Sequence, residues 1–161
     1  MKKLSLTLAS VFCMTMAALA NAGTITMAGA AGVRDSHNID CSDPDELTNS
    51  MEAVFGGSQC LISYPLALPV GTVIDSIQIA YYVPTLNMGP PSLVAMLGQN
   101  RINPNLGVIA IGGNSVSPNV TGQGFLSLSN LNVTVAAGSS YWVQLFDTNA
   151  VGVNAVTVTY H

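Results

Sequence analysis

Acidic residues are concentrated in one short stretch of this 161-residue chain. Carboxylate oxygens are the ligands that Ca²⁺ prefers, so Asp35, Asp40 and Asp43 are weak candidates for calcium binding. The spacing lacks the Asp-x-Asp-x-Asp-Gly pattern of a calcium loop, whereas a helix N-terminus would explain clustered negative charge without a metal. Six of the eight acids belong to this stretch: Asp35, Asp40, Asp43, Asp45, Glu46 and Glu52. The sequence therefore predicts a structural role for them, with no metal and no cofactor.

One histidine, His37, lies inside the acidic stretch, where Asp35 or Asp40 could orient it as a general base. A serine nucleophile would need a Gly-x-Ser-x-Gly elbow, and the segment 113–117 lacks the closing glycine. Zinc would need three or four His or Cys ligands, which no region of the sequence supplies. We therefore predict no catalytic residue and no enzyme activity, and a small hydrolase centred on His37 is the least favoured hypothesis.

Two pairs of adjacent aromatic residues, Tyr81-Tyr82 and Tyr141-Trp142, offer chemistry of another kind. Successive side chains of a strand point to opposite faces, so one ring of each pair must face away from the other. If Tyr81 and Tyr141 point into a core, then Tyr82 and Trp142 are available to stack on a sugar ring. Ordinary packing of large amphipathic rings would explain the same pattern. Tyr82 and Trp142 are nevertheless the candidate ligand-binding residues.

The N-terminal segment 1–22 has the features of a secretory signal peptide. Lys2 and Lys3 precede an apolar run, and the small residues Ala20 and Ala22 mark a cleavage site before Gly23. The run is shorter than the ~20 residues needed to span a bilayer. We expect a secreted protein, in the periplasm, on the cell surface or in the medium, whose single mature domain covers residues 23–161.

Cys41 and Cys60 are the cysteines that remain after cleavage. In an oxidising compartment such a pair predicts a disulfide, which would close a loop of about 20 residues and contribute roughly 3 kcal/mol on the chain-entropy model.

Charge excludes one class of partner. Only 7% of the residues are charged, and the mature chain keeps two arginines against eight acids, a net charge of −6 with no lysine. Nucleic-acid binding through phosphates needs many cationic contacts, so we expect none. No segment after residue 22 is apolar enough to span a membrane, and the neutral surface tolerates close contact with neighbours.

The elements that must position these residues are mostly strands. One helix is expected over 42–57, where Asp43 caps the N-terminus, Pro44 and Glu46 follow, and Gly56-Gly57 ends it between the two cysteines. After Gly57 the apolar spacing changes to a period of two. Strands are expected at 23–27, 60–67, 72–83, 92–97, 107–111, 125–129, 131–136, 140–147 and 153–160. Turns are expected at 69–71, 88–91, 112–114 and 137–139. The pattern predicts an all-β fold, an antiparallel β-sandwich of jelly-roll type with one short disulfide-bracketed helix.

The two ends of the chain resemble those of chaperone–usher pilin subunits. Gly23-Thr24-Ile25-Thr26-Met27 is a strand-like start, Cys41 lies where a pilin's first cysteine is expected, and Tyr160 is penultimate. This resemblance implies an N-terminal strand that could pair with another subunit.

Residues 60–160 are similar to secreted bacterial β-domains of unknown function. The likeness rests on the segment 68–74, a Leu-Pro-x-Gly-x-x-Ile turn that leads into a tyrosine-containing strand, on 140–143, and on the Val-Thr-Val-Thr-Tyr ending. It implies a sandwich and no particular activity.

From these features we expect a non-catalytic surface or extracellular protein with a structural or adhesive, fimbrium-like role and self-association through its end strands. A carbohydrate-binding module that recognises a surface glycan is the alternative.

Overall fold

The structure of the protein, a computed structural model, describes residues 22–34, 53–54, 60–84, 91–101, 108–148 and 151–161. Eleven strands occur in these residues, and a short 3-10 turn, Gly29–Ala31, follows the first of them. The strands are β1 Gly23–Ala28, β2 Val33–Arg34, β3 Ala53–Val54, β4 Cys60–Leu66, β5 Val73–Val83, β6 Ser92–Arg101, β7 Val108–Val116, β8 Gly122–Leu128, β9 Val133–Thr134, β10 Ser139–Thr148 and β11 Gly152–Tyr160.

The strands form two antiparallel sheets. Sheet A has the order β1-β11-β5-β8, with β3 beside β11 and β9 beside β5. Sheet B has the order β2-β4-β10-β6-β7. Inward-facing residues from both sheets form a single buried cluster, so the fold is the antiparallel β-sandwich that the period-two pattern predicts.

Alternation along β5 shows how the sequence produces this architecture. Ile77, Ile79 and Val83 are fully buried, while Gln78 between them is exposed. The strand is central in sheet A, with β11 on one side and β8 on the other. A one-residue slip would exchange its two faces, so burial fixes its register.

Tyr64 is the largest fully buried side chain in the described part of the chain. Its hydroxyl donates a hydrogen bond of 2.7 Å to the carbonyl oxygen of Gly29, which links sheet B to the turn after β1. Burial raises the pKa of Tyr64 far above its usual range.

Two local predictions are wrong. Ala53–Val54, inside the expected helix, is a strand that pairs with Gly152 and Val153 of β11. Tertiary pairing overrides local helix signals at these two residues, and the rest of the segment 42–57 lies outside the described residues. The expected turn at 112–114 lies within β7, where Gly112, Gly113 and Asn114 pair with Leu97, Met96 and Ala95 of β6. The one irregularity of this pairing is the extra residue Ile111, between Ala110 opposite Gly98 and Gly112 opposite Leu97.

The strand expected over 131–136 is shorter than predicted. Only Val133–Thr134 is a strand, since Asn130 and Asn132 have positive φ values of 58° and 48° that interrupt extended backbone.

The two termini of the described chain pair with each other. All six residues of β1 pair with β11, from Gly23 opposite Tyr160 to Ala28 opposite Ala155. The ring of Tyr160 lies over Gly23, since a Cβ on that glycine would come within 2.6 Å of the Tyr160 Cζ atom. The first strand is therefore part of the chain's own sheet.

Candidate functional site: an aromatic surface on sheet B

Trp142 lies on the outer face of sheet B. Its neighbours along β10, Tyr141 and Val143, are buried in the core, whereas Trp142 is partly exposed. This confirms the expected division of the Tyr141-Trp142 pair between two faces. Trp142 is also the only tryptophan in the chain.

Cross-strand register places the indole between a proline and a glycine. Trp142 is opposite Pro65 of β4 on one side and opposite Gly98 of β6 on the other. A Cβ on Gly98 would come within 2.6–2.7 Å of the indole Cε2, Cζ2 and Nε1 atoms, so the ring lies over this glycine. Any larger residue at position 98 would displace it.

Around the ring is a shallow depression of about 400 Å³. Gln144 and Asn100 supply amides, and Ser63 and Ser140 supply hydroxyls. The complete lining is Val33, Ser63, Pro65, Asn100, Ser140, Tyr141, Trp142 and Gln144. No residue of this lining carries a formal charge, so the surface suits a neutral ligand with many hydroxyl groups.

Beneath this surface, the Tyr141 hydroxyl fixes the start of β10. It donates to the carbonyl oxygen of Thr134 at 3.1 Å and accepts from the backbone N–H of Ala136 at 3.1 Å. It also accepts from Gln99 Nε2 at 2.9 Å, and the same nitrogen donates to Ser139 Oγ at 3.0 Å. A satisfied buried network of this kind rigidifies the backbone that carries Trp142. Sequence reasoning missed Gln99, because an amide in a strand gives no local sign of burial.

Tyr82 does not join this surface. It lies on the outer face of sheet A and is 37% exposed, while Tyr81 is buried. The same face carries Phe125 of β8, which is 66% exposed. Sequence reasoning missed Phe125, although alternation with the buried Leu126 and Leu128 already placed it on the face that carries Ser127.

Several predicted residues lie outside the described part of the chain: Asp35, His37, Asp40, Cys41 and Asp43. Cys60 begins β4, and the disulfide with Cys41 stays a prediction. Within the described residues, no three His, Cys, Asp or Glu side chains gather as a metal site. Across the same residues, no helix has the length and hydropathy that crossing a bilayer requires.

A second depression, of about 360 Å³, lies where the edge strands of the two sheets meet. Asn114 of β7 crosses it and donates from Nδ2 to the carbonyl oxygen of Ser127 at 2.9 Å. Some polar groups of this depression are therefore already hydrogen-bonded to each other, and no aromatic residue lines it.

No protein-family model and no curated protein matches this chain. Among solved structures, it is similar to the C-terminal family 6 carbohydrate-binding module of LamC, a marine laminarinase from Zobellia galactanivorans. The identity is 13% and the TM-score 0.48, over 85% of this chain and 99% of that chain.

A carbohydrate-binding module of lichenase 5A from Cellvibrio mixtus, in complex with cellotriose, is 14% identical with a TM-score of 0.43, over 83% of this chain and 95% of that one. A family 2 carbohydrate esterase from Cellvibrio japonicus is 13% identical with a TM-score of 0.42, over 86% of this chain and 34% of that one. At these values, the similarities carry no argument about a ligand or its binding residues.

Proposed function

We propose that this protein binds a neutral polysaccharide without catalysis, through the Trp142 surface of sheet B. The observation that carries the proposal is the position of the indole, which lies over Gly98 and is surrounded by uncharged amides and hydroxyls. The proposal makes the carbohydrate-binding alternative specific to one face of the sandwich.

The chemistry follows from the two kinds of group present. An aromatic ring has a negative face, which attracts the polarised C–H groups on one side of a pyranose. The amides of Gln144 and Asn100 each offer donors and an acceptor, and so match a sugar hydroxyl that does both. A strand platform holds these groups in fixed positions, which lowers the entropy lost on binding.

The expected export of the protein fits such a ligand, because polysaccharides of cell walls and matrices lie outside the cytoplasm. Adhesion to a glycan would also provide the surface role expected from the sequence. Pairing of β1 with β11 in the same chain supports a self-complete domain rather than donation of the first strand.

Titration of the intrinsic fluorescence tests the proposal directly, since the single tryptophan is the proposed contact. The panel is soluble β-1,3-glucan, mixed-linkage β-glucan, xylan and galactomannan. We expect at least one of them to change the emission of Trp142, with an affinity that stays nearly constant up to about 1 M salt because no charged pair forms.

Asn100→Ala and Asn119→Ala form a matched pair for the same titration, because both remove an exposed asparagine amide and only Asn100 lines the Trp142 surface. Loss of one hydrogen bond of about 1 kcal/mol predicts a roughly fivefold weaker affinity for Asn100→Ala and no change for Asn119→Ala, which lies between β7 and β8. Trp142→Ala should weaken binding at this face about 30-fold or more. Because this variant has no tryptophan, its affinity is measured by affinity electrophoresis. Absence of binding to all four polysaccharides, or equal effects of the two asparagine variants, would contradict the proposal.

A further inference from the structure

The outer face of sheet A carries two exposed aromatic rings that the Trp142 site does not use. Phe125 is 66% exposed and Tyr82 is 37% exposed. Burial of a phenylalanine ring stabilises a fold, so an open ring on a regular strand forgoes that stabilisation. Exposed apolar groups rimmed by polar residues mark sites of interaction.

Strand register makes the two rings neighbours. Phe125 of β8 is opposite Ala80 of β5. Tyr82, two residues after Ala80 in β5, is opposite Gln123, two residues before Phe125 in β8. Both residues point away from the core, so the rings are diagonal neighbours at about 7–8 Å between backbone positions, within reach of aromatic side chains. Ala80 is in turn opposite Ala155 of β11. Because alanine side chains are small, open space remains beside the two rings.

The backbone beneath Phe125 is held in place by close packing. Gly124 faces the core, and a Cβ at this position would overlap the ring of Tyr81. The next residue along β8, Leu126, is buried. Phe125 is therefore presented by a strand whose inner side is closely packed, as a rigid binding platform requires.

Charge and polarity select the kind of ligand. Among the described residues, those around the two rings on this face are uncharged, and they include the amides of Gln78 and Gln123 and the hydroxyl of Ser127. Neither salt bridges nor metal coordination is available from such a set, whereas aromatic stacking and amide hydrogen bonds are.

We propose that Tyr82 and Phe125 form a second glycan-binding face, so that one chain can join two polysaccharide chains. The ligand class rests on the function proposed above. Packed sheets lie about 10 Å apart and their outer faces look in opposite directions, so one extended glycan cannot lie on both platforms. Two faces on a single domain therefore give cross-linking.

Bead agglutination distinguishes one face from two. The probe is a suspension of latex beads coated with whichever of the four polysaccharides the wild-type chain binds most tightly. Wild-type protein should agglutinate the beads. Trp142→Ala and the double variant Tyr82→Ala/Phe125→Ala should each still bind the beads without joining them.

Loss of either face should lower the apparent affinity for coated beads by about 100-fold, because avidity is lost. The double variant should keep the wild-type response of Trp142 fluorescence to a soluble oligosaccharide. It changes side chains on the outer face, where substitutions usually have small effects on stability, and circular dichroism checks that the fold is retained.

Agglutination by the Tyr82→Ala/Phe125→Ala variant at the wild-type level would overturn the second face and leave the Trp142 proposal intact. A dimer in sedimentation experiments without glycan, lost in this variant, would also overturn it and assign the face to a second copy of the chain. Absence of wild-type binding to every polysaccharide of the panel would remove both proposals together.

Discussion

Gly98 determines where the indole of Trp142 can lie. We expect Gly98→Ala to displace the ring, because the new Cβ would stand 2.6 Å from Cε2. The emission of the single tryptophan should shift to longer wavelength as the ring becomes more exposed, and glycan affinity should fall about tenfold, which corresponds to about 1.4 kcal/mol. Fluorescence titration measures both effects.

Gly113→Ala is the control for this change. Gly113 lies in β7, and a Cβ there would meet the Ala95 carbonyl oxygen at 3.1 Å and Met96 Cγ at 3.2 Å, with no contact to the indole. Both substitutions restrict the unfolded chain in the same way. Equal affinities of the two variants would show that the position of the indole does not matter for binding.

The buried hydroxyl of Tyr64 makes the stability of the fold depend on pH in the alkaline range. Burial raises the pKa of its hydroxyl, so the folded state keeps a proton that the unfolded chain releases above about pH 10. This contribution to stability is complete below pH 10 and is lost as the pH rises beyond it. The free energy of unfolding should therefore decrease above pH 10.

Tyr64→Phe tests that assignment. At neutral pH it should cost about 1–3 kcal/mol, because the carbonyl oxygen of the buried Gly29 loses its 2.7 Å hydrogen bond. Above pH 10 the variant should lose stability with a shallower slope than the wild type. Denaturant titrations at several pH values provide both numbers, and parallel slopes would contradict the proposed coupling.

At the scale of elements, β1 closes one edge of sheet A. It pairs with β11 along its whole length, Met27 packs against the core, and Thr26 Oγ1 lies 3.2 Å from Thr157 Oγ1. An edge strand left unpaired is a template for association with another chain. The role of β1 can be tested by removing it.

Deletion of residues 23–28 should lower the Tm and cause concentration-dependent association, because the β11 edge becomes open. A synthetic peptide with the sequence Gly-Thr-Ile-Thr-Met-Ala should restore the Tm when added in excess. A scrambled peptide of the same composition should not. An unchanged Tm after deletion would show that pairing with β11 contributes little to stability.

Element by element, local sequence patterns were a good guide wherever alternation was regular. From Ile77 to Val83 of β5 and along β10 the order of buried and exposed residues follows the period of two, so the faces of Tyr82 and Trp142 could be predicted. Gly112 and Gly113 led to the wrong prediction of a turn at 112–114, where the strand in fact continues. These residues pair in register with Ala95, Met96 and Leu97 of β6, and the local sequence does not encode that pairing.

At the scale of the whole molecule, the composition leaves few charged residues on the two sheets. Only 7% of the residues are charged, and six of the eight acids lie between positions 35 and 52. The described strands carry four charged residues, Arg34, Asp75, Arg101 and Asp147, so hydroxyls, amides and aromatic rings are their main means of recognition. Two sheets packed on one core then present these groups in opposite directions, which is the basis of the cross-linking proposal.

The sequence by itself determined the fold class, the alternation of core and surface, and the separation of Tyr81 from Tyr82 and Tyr141 from Trp142. These are properties of consecutive residues in a strand. Only the tertiary structure decided that Trp142 lies over Gly98, that Phe125 lies beside Tyr82, and that the two surfaces oppose each other. Each of these depends on register between strands far apart in the chain, and packing of the common core sets that register rather than any local pattern.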